Sequence, residues 1–323
     1  TLIQHYPDVL QRFEVTGLAS EPAAYAAAAL PHLGVEPTDV GVPYAVFDFG
    51  GGTTDFDYGL LRWATPEEEA QGYERVFEHL ASSGDNFLGG ENLLEHLVYE
   101  SFQSNLTVLR EKRIQFTQPI DAKSFAGSEA FLANTQAAQT NSVMLAAKLR
   151  DFLELDKPNL QPQVKFELID VNGSKQSCEL TLDSGALDRL LDSRIRKGVE
   201  AFLAGLARLL PKLPTGAPIQ ILLAGNGSRS RYIKELFNTK SDLWREFLVK
   251  AFDQKPKSPH LDLPASLDRG EDSDGNVHNI EGHPPFVVHP PLPMDIKQPH
   301  ALTAKTGVAL GLLTGALQGF FGA

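Results

Sequence analysis

Cysteine is nearly absent from this chain of 323 residues, which carries Cys178 as its one cysteine. A single cysteine excludes an intrachain disulfide framework and agrees with a reducing, cytoplasmic compartment. Positive charge is also scarce, because 29 lysine and arginine residues stand against 41 acidic ones and the net charge is −12. Since no basic stripe is present to contact a phosphate backbone, we exclude nucleic acid as a partner.

The chain also lacks long hydrophobic runs, so its sequence shows no clear membrane-spanning segment. The closest candidate is the uncharged stretch over 306–323, where glycine recurs at every fourth position from Gly307 to Gly319. Such a stripe occurs in membrane helices, but this stretch is short for a span and includes Thr314 and Gln318. We predict instead a buried helix whose glycines let it lie close to a sheet or a ligand, and no membrane partner.

Regular metal-ligand spacing is lacking, although five of the nine histidines fall between 254 and 300. The acidic run that begins at Glu271 does not fit a calcium loop, since glycine comes fourth from Asp272 and His283 takes the twelfth position. The histidines show no zinc-type spacing and no thiol accompanies them. We therefore predict a solvated, partly irregular insertion over 254–300, crowded with prolines.

Strand and helix signals separated by glycine turns make up most of the chain. Ser20 followed by Pro22 suits a helix start, and 43–63 alternates around a glycine turn as a hairpin does. Asn172-Gly173 is a turn pair that favours φ > 0 between two further strands. The other predicted elements are a strand over 73–81, helices after Gly90, over 141–155 and over about 187–210, and a buried strand over 217–225 that leads into a helix.

The stretch "FDFGGGTTDFD" places three glycines between two strands, with Asp48 before them and Asp55 after them. Glycines allow successive backbone N–H groups to face one concavity and let phosphate oxygens approach closely. Thr53 adds a hydroxyl donor, and a carboxylate at Asp48 suits a hydrated Mg²⁺, which prefers oxygen ligands and keeps several waters. The pattern predicts a phosphate cradle, and a hairpin that only turns tightly is the alternative.

A second glycine-bearing turn, "ILLAGNGSRSRYIKELF", runs from Ile221 to Phe237. A loop between a buried strand and a helix can press its backbone against the sugar and base of a nucleotide. Arg229 can then lay its planar guanidinium over an adenine face. A solvated arginine in the first turn of the helix is the alternative.

Four stretches, in their order along the chain, resemble the nucleotide-binding domain of the DnaK-type, 70-kilodalton heat-shock chaperones, within the actin-like ATPase superfamily. The most specific piece is "SGDNFLGGEN", because other actin-like ATPases share the glycine hairpin but not that turn. A further stretch, "TAKTGVALGLL", is similar to the closing helix of the same fold. The four stretches are "SEPAAYA", "FDFGGGTTDF", "SSGDNFLGGENL" and "LLAGNGSR".

The resemblance implies a role for each matching residue around ATP or ADP and Mg²⁺. Glu21 would help to orient the attacking water, Asp48 would hold the hydrated Mg²⁺ and that water, and Asp55 would support the phosphate turn. The implied nucleotide contacts are the phosphate ligands Gly50, Gly51, Gly52 and Thr53, the adenosine-loop residues Gly225, Asn226 and Arg229, and Lys148 from the facing subdomain.

The chain also departs from the family pattern. Asn226 and Gly227 replace a glycine and a serine of the adenosine loop, and Leu145 and Phe152 stand where a glutamate and a serine are expected on the helix of Lys148. The family's first phosphate hairpin and its lysine are not in the sequence and would precede Thr1. We therefore expect a piece of a longer protein that alone has negligible ATPase activity.

The resemblance implies an α/β, actin-like (ribonuclease H-like) fold with the second half of lobe I and lobe II. Residues 1–41 would be a remnant of lobe I, 42–80 and 207–323 the sheet subdomain of lobe II, and 81–206 a smaller inserted subdomain. The implied function is an ATP-binding, ATP-hydrolysing part of a chaperone that couples nucleotide state to lobe movement, with client and co-chaperone proteins as partners. A non-hydrolysing nucleotide-dependent scaffold or regulator, and an actin-like filament subunit, are the alternatives.

Overall fold

The computed structural model describes residues 19–252, 285–293, 302–303, 306–317 and 319–322. Its strands are β1 (Val42–Phe49), β2 (Thr54–Trp63), β3 (Arg75–Asp85), β4 (Gln163–Ile169), β5 (Lys175–Thr181), β6 (Ile219–Ala224), β7 (Phe286–His289) and β8 (Gly319–Gly322). Its α-helices are α1 (Glu21–His32), α2 (Pro66–Glu69), α3 (Gly90–Gln103), α4 (Leu106–Lys112), α5 (Gln136–Glu154), α6 (Ser184–Leu209), α7 (Arg231–Leu236), α8 (Asp242–Phe252) and α9 (Gly307–Leu317).

Six of the strands form one mixed sheet in the order β7-β6-β1-β2-β3-β8. β1, β2 and β3 form antiparallel pairs, whereas β6 runs parallel to β1, β7 parallel to β6 and β8 parallel to β3. The predicted hairpin is confirmed, with Val42 opposite Leu61 and Phe49 opposite Thr54. The mixed α/β class is also confirmed and is consistent with an actin-like ATPase domain.

β1 lies inside the sheet and is buried along both faces, because its side chains alternate between two apolar layers. Tyr44 and Val46 belong to the layer that contains α1, and Phe47 belongs to the layer that contains α6. Phe47 stacks on Phe56 and meets the Phe202 ring edge-on, with 5.4 Å between centroids in each pair. Each such pair contributes about 0.5–1.5 kcal/mol beyond area burial, so the strand that leads into the glycine turn is firmly held.

α9 lies directly against α1. A Cβ at Gly311 would overlap the Ala24 carbonyl, and a Cβ at Gly307 would lie 2.7 Å from the Tyr25 ring. The glycines therefore allow α9 to lie close to another helix, α1. The sequence had instead predicted close approach to a sheet or a ligand. The stripe is also shorter than predicted, because Gly319 begins β8 instead of extending the helix. Within the described residues, no helix combines the length and the apolar character that a bilayer crossing requires.

The β4–β5 turn differs from the predicted one in a single residue. Gly173 has a φ of +83°, but Asn172 stays outside the left-handed region. The Asp170 carboxylate explains the difference, since its Oδ1 accepts from the N–H groups of Asn172 and Ser174 at 2.9 Å each. A side chain that satisfies these donors leaves one left-handed residue sufficient to close the turn.

The expectation of an irregular insertion over 254–300 is wrong at β7. This strand extends the sheet beside β6, with Phe286 opposite Ile219, and the Phe286 ring meets Trp244 edge-on at 6.0 Å. Four residues flanked by prolines are too short for alternation to reveal a strand. Residues 285 and 290–293 of the insertion are also described, and the rest of it lies outside the described residues, as do residues 1–18 and the histidines His260, His278, His283 and His300.

Candidate functional site

The glycine turn between β1 and β2 rests on the first turn of α3. The carbonyl oxygen of Gly50 accepts from the Gly90 N–H at 3.1 Å, and that of Gly51 accepts from the Glu91 N–H at 2.7 Å. A Cβ at Gly89 would overlap the backbone of Gly52, so only glycine permits this approach. The first N–H groups of a helix have no partner within it. Here the turn supplies those partners, which explains why the two glycine motifs occur together.

Three N–H groups of the same turn remain available. Within the described part of the chain, the N–H groups of Gly51, Gly52 and Thr53 donate no hydrogen bond, while Gly50 donates to the Thr53 carbonyl at 2.9 Å. None of the three glycines has a positive φ. A Cβ at Gly51 or Gly52 would meet nothing within 4 Å. Glycine is therefore not needed here for backbone conformation, and its effect is to leave open space in front of free donors.

Three carboxylates adjoin the turn. Asp48 and Asp55 are opposite each other in the hairpin register, and Glu21 opens α1 nearby. The pKa of Asp48 is raised to about 6, first because burial disfavours its charged form and then because Asp55 and Glu21 repel a further negative charge. Asp55 accepts from the Thr53 hydroxyl at 2.8 Å. No lysine or arginine of the described residues forms an ion pair with any of these carboxylates.

A cavity of about 530 Å³ opens beside these groups. Glu21 and Asp55 line it, and Asp48 does not. Ser82 and Ser83 of β3 also line it, and their side chains point to opposite faces of the strand, with Ser82 on the face of Asp55 and Asp57. In the described part of the chain, no three His, Cys, Asp or Glu side chains lie close enough to hold an ion directly. The arrangement fits a cation that keeps its own water shell better than one bound by direct ligation.

The second glycine loop meets the first at the end of β1. Parallel pairing places Asp48 opposite Ala224, so Gly225 follows beside the carboxylate. Gly225 has a φ of +77°, and a Cβ there would lie 2.5 Å from Asp48 Oδ1 and would overlap the Phe49 carbonyl. Glycine is required at this position for both reasons. The structure thus brings the two predicted loops together around Asp48.

Arg229 points away from that junction. Its Nη2 donates to the Leu292 carbonyl, and its Nε is buried without a partner in the described part of the chain. Arg229 and Ser228 line a separate cavity of about 700 Å³, which extends to the end of α5 and to Pro290. The Ser228 hydroxyl is likewise buried without a partner among the described residues. Both unpartnered donor atoms are themselves buried in the wall of this cavity of nucleoside size.

Asn226 and Lys148 are not brought into either cavity. Asn226 is exposed and begins the short 3₁₀ turn Gly227–Arg229, and Lys148 is exposed on α5. Leu145, three residues before Lys148, is fully buried in the core, so it presents no group to a ligand. Lys148 makes no hydrogen bond or ion pair with the described residues, and nothing in these contacts ties it to the glycine turns.

The sequence analysis missed a buried carboxylate at Asp57. Its side chain is 0% exposed, its Oδ2 accepts from the Ser20 hydroxyl at 3.2 Å, and His79 Nδ1 lies 3.1 Å from the same oxygen. Its Oδ1 is buried without a partner in the described part of the chain. The alternation of β2 could have located Asp57 on the same face as Asp55, two residues earlier.

Arg231 is a second residue that the sequence analysis did not single out. Its Nη1 donates to the carbonyls of Phe152 and Leu155 at 3.0 Å each, and its Nη2 donates to Asp188 Oδ1 at 2.7 Å. The guanidinium also lies over the Phe152 ring at 5.1 Å. This one side chain joins α7 to the end of α5 and to α6.

Comparison with known proteins agrees with the resemblance drawn from these motifs. No family model matches the chain. A chaperone protein HscA homolog from Vibrio atlanticus (strain LGP32) is 30% identical over 174 residues, which are 54% of this chain and 25% of that protein. The match therefore spans about a quarter of the length of that curated relative. It confirms the similarity to the 70-kilodalton heat-shock chaperones and supports an actin-like ATPase domain.

Proposed function

We propose that this chain is the ATP-binding part of a heat-shock-type chaperone, and that the natural protein hydrolyses ATP to ADP and phosphate. The β1–β2 turn is the observation that carries the proposal. It offers free N–H donors at Gly51, Gly52 and Thr53, with open space in front of them. Gly51 and Gly52 are exposed, so water can satisfy these donors and phosphate oxygens can take its place.

The turn would bind the β- and γ-phosphates. Successive N–H groups form an anion-binding concavity. The Thr53 hydroxyl donates its one hydrogen to Asp55, so it would have to leave that carboxylate in order to donate to a phosphate. The N-terminus of α3 lies behind the turn and contributes a favourable field for anions. Gly50, whose N–H is engaged with Thr53, would act by shaping the turn.

The three carboxylates would organise the reaction. Their mutual repulsion without a cationic partner in the described residues fits a hydrated Mg²⁺, which Asp48 would hold through water. When bound, that ion supplies charge neutralisation for the phosphates. Glu21 would orient a water for in-line attack on the γ-phosphorus, forming one P–O bond as the bond to the β–γ bridging oxygen breaks. Positioning and charge stabilisation supply most of the acceleration in such reactions.

The adenosine would extend from the turn along the second loop. Gly225 keeps the backbone close to Asp48, and the loop continues through Asn226 toward Arg229. Ser228 and Arg229 line a cavity whose apolar walls include Phe237, and their unused donor atoms are buried in its wall. We place the base in that direction, with the Arg229 guanidinium edge as a donor and Lys148 as a contact from α5 only after a movement of that helix.

We further propose the lobe arrangement and the partners that the family implies. Residues 42–80 and 207–323 would form the sheet subdomain, 81–206 the smaller subdomain, and 19–41 the end of the preceding lobe. The natural protein would couple the nucleotide state to rotation of these parts and act on client proteins with a co-chaperone. The aligned relative supports this proposal at the level of a chaperone.

A nucleotide-dependent scaffold that does not hydrolyse ATP is the second candidate. The contacts of Arg231 favour it, because they occupy the carbonyls of Phe152 and Leu155 and fix the end of α5 against α7. An ATPase cycle needs parts that move, whereas a scaffold tolerates a permanent connection.

Two substitutions separate these functions. In the natural protein, Glu21→Gln should keep ATP affinity and lower turnover by about 100-fold, since it removes a group needed only for water activation. Asp48→Asn should weaken ATP binding about tenfold in the presence of Mg²⁺ and little in its absence. Calorimetry and phosphate release measure both. A wild-type protein that binds Mg²⁺·ATP without releasing phosphate would support the scaffold, and one that binds no ATP would overturn both candidates.

A further inference from the structure

Asp57 joins three elements through one carboxylate oxygen. The Ser20 hydroxyl, at the start of α1, donates to Asp57 Oδ2 at 3.2 Å, and His79 Nδ1 of β3 lies 3.1 Å from the same atom. Ser20 is also the N-cap of α1 and accepts the Ala23 N–H at 3.2 Å. The hydroxyl is thus held between the helix backbone and the sheet, and its direction is fixed.

Stability does not explain a carboxylate at this place. Asp57 is fully buried, one of its oxygens has no partner in the described part of the chain, and its charge helps to raise the pKa of Tyr44, which belongs to the apolar layer of β1. Burying an incompletely paired charge is unfavourable, and an apolar residue at such a site is often as stable or more stable. A costly group of this kind points to a task other than folding.

The position of Asp57 indicates the task. Ser20 is bonded to Glu21 in sequence, and Asp57 stands two residues after Asp55 on the same face of β2. Glu21 and Asp55 line the 530 Å³ cavity, which Ser20 also lines and Asp57 does not. One buried carboxylate therefore sets the distance between a helix that carries one cavity carboxylate and a strand that carries the other.

We infer that Asp57 is a positioning residue that holds Ser20, and through it Glu21, in register with Asp55 across the cavity. The inference rests on the proposed ATPase function, in which Glu21 orients the attacking water. His79 completes the arrangement as the second donor to Asp57, from the partly exposed edge of β3. Asp57 itself touches neither the cavity nor the reacting atoms, so it acts through Ser20.

A double-mutant cycle on the natural protein tests this coupling. Asp57→Asn removes the charge with little change in shape, and Ser20→Gly removes the hydroxyl while keeping an acceptable N-cap residue. We expect each to lower kcat about tenfold with KM for ATP changed by less than about twofold, and the double variant to be no worse than either single one. Additive losses in kcat would overturn the inference, because they would mean that Asp57 and Ser20 act separately.

Asp170→Asn is the matched control. Asp170 is also a buried, hydrogen-bonded aspartate, but it closes the β4–β5 turn away from the cavity. We expect this variant to lower the thermal midpoint and leave kcat unchanged, and Asp57→Asn to show the opposite pattern at pH 7.5. If kcat falls in proportion to the thermal midpoint in both variants, Asp57 has only a structural role and the inference fails.

Amide hydrogen exchange provides a readout that does not depend on turnover. Faster exchange in the first turn of α1, at the Ala23 and Ala24 N–H groups, is expected in Asp57→Asn, because the Ser20 hydroxyl then donates to a neutral amide oxygen, a weaker acceptor than a carboxylate. A wild-type protein without ATPase activity would refute the proposed function while the exchange result still decides the positioning of α1. Unchanged exchange there would refute the positioning role alone.

Discussion

Individual carboxylates carry most of the charge at the candidate site, and burial raises the pKa of two of the carboxyl groups in and beside it. The pKa values of Asp48 and Asp57 are both raised to about 6, in each case first by burial. Two further carboxylates raise the pKa of Asp48, whereas His79 and Ser20 act to lower that of Asp57. The environment of Asp48 fits a carboxylate that binds a cation. The environment of Asp57 fits a carboxylate that already accepts hydrogen bonds from protein donors.

Asp57 gives a prediction for the pH dependence of stability. Its carboxyl has a pKa of about 3.9 in an unfolded chain and about 6 in the fold, so the folded state keeps the proton to higher pH. The stabilisation of the folded state by the protonated Asp57 carboxyl is complete below pH 4 and is lost as the pH rises through about 6. Relative to Asp57→Asn, the free energy of unfolding of the wild-type chain should fall by on the order of 2–3 kcal/mol across this window.

Urea unfolding of both chains between pH 4 and pH 8 measures that difference. Parallel profiles of the free energy of unfolding for wild type and Asp57→Asn would show that the Asp57 carboxyl titrates normally and would contradict the prediction. A wild-type profile that rises with pH relative to the variant would contradict even its sign.

The sequence contained part of this information. The spacing of the glycines predicted that Asp48 and Asp55 flank one turn, the family resemblance added Glu21, and the structure places all three beside that turn. The contact between Asp57 and His79 had no sequence signal. It depends on a bulge between Tyr58 and Gly59 that shifts the β2–β3 register, and one extra residue does not alter a period-two pattern enough to be seen.

Among the elements, α9 depends most directly on a single glycine. Ala24 of α1 lies so close that a Cβ at Gly311 would overlap its carbonyl. In an open helix, Gly→Ala stabilises by about 1 kcal/mol because alanine is the better helix former. In this contact, Gly311→Ala should instead lower the free energy of unfolding by about 1–3 kcal/mol through overpacking. Since the two cases differ in sign, a thermal or urea unfolding curve decides between them, and a stabilised variant would contradict the packing of α9 on α1.

Elements with long patterns were predictable, and short ones were not. The β1–β2 hairpin and the cap of α1 follow from alternation over two strands and from Ser20 before a proline. β7 has four residues in a proline-rich segment, and its place beside β6 is set by Phe286 packing on Trp244. That contact joins residues far apart in the sequence, so no local rule could find it.

At the scale of the whole molecule, both glycine loops converge because the sheet places β1 between β2 and β6. The antiparallel strand β2 brings the glycine turn and Asp55 to β1, and the parallel strand β6 brings Gly225. The first turn of α3 backs the glycine turn, and Ser20 and Glu21 at the start of α1 form the rim of the cavity beside Asp55. A nucleotide bound along this rim would touch strands, helices and loops from the whole length of the described chain, which suits a domain whose parts respond to its presence.

Gly51→Val tests the central claim, that the β1–β2 turn binds the phosphates of ATP. The substitution should not strain the protein, because Gly51 has no positive φ and its Cβ would meet no atom within 4 Å. Its side chain would fill the space in front of the free N–H groups. Gly51→Ala, with a smaller side chain, provides the graded control, and thermal unfolding of both variants confirms that the fold is intact.

The decisive measurement is calorimetric titration of ATP into wild type, Gly51→Ala and Gly51→Val, with and without Mg²⁺. If the turn binds phosphate, affinity should fall in that order in both conditions, with Gly51→Val at least about tenfold weaker than wild type and an unchanged thermal midpoint. Equal ATP affinity in wild type and Gly51→Val would contradict the account, because the turn would then be only a connection between two strands.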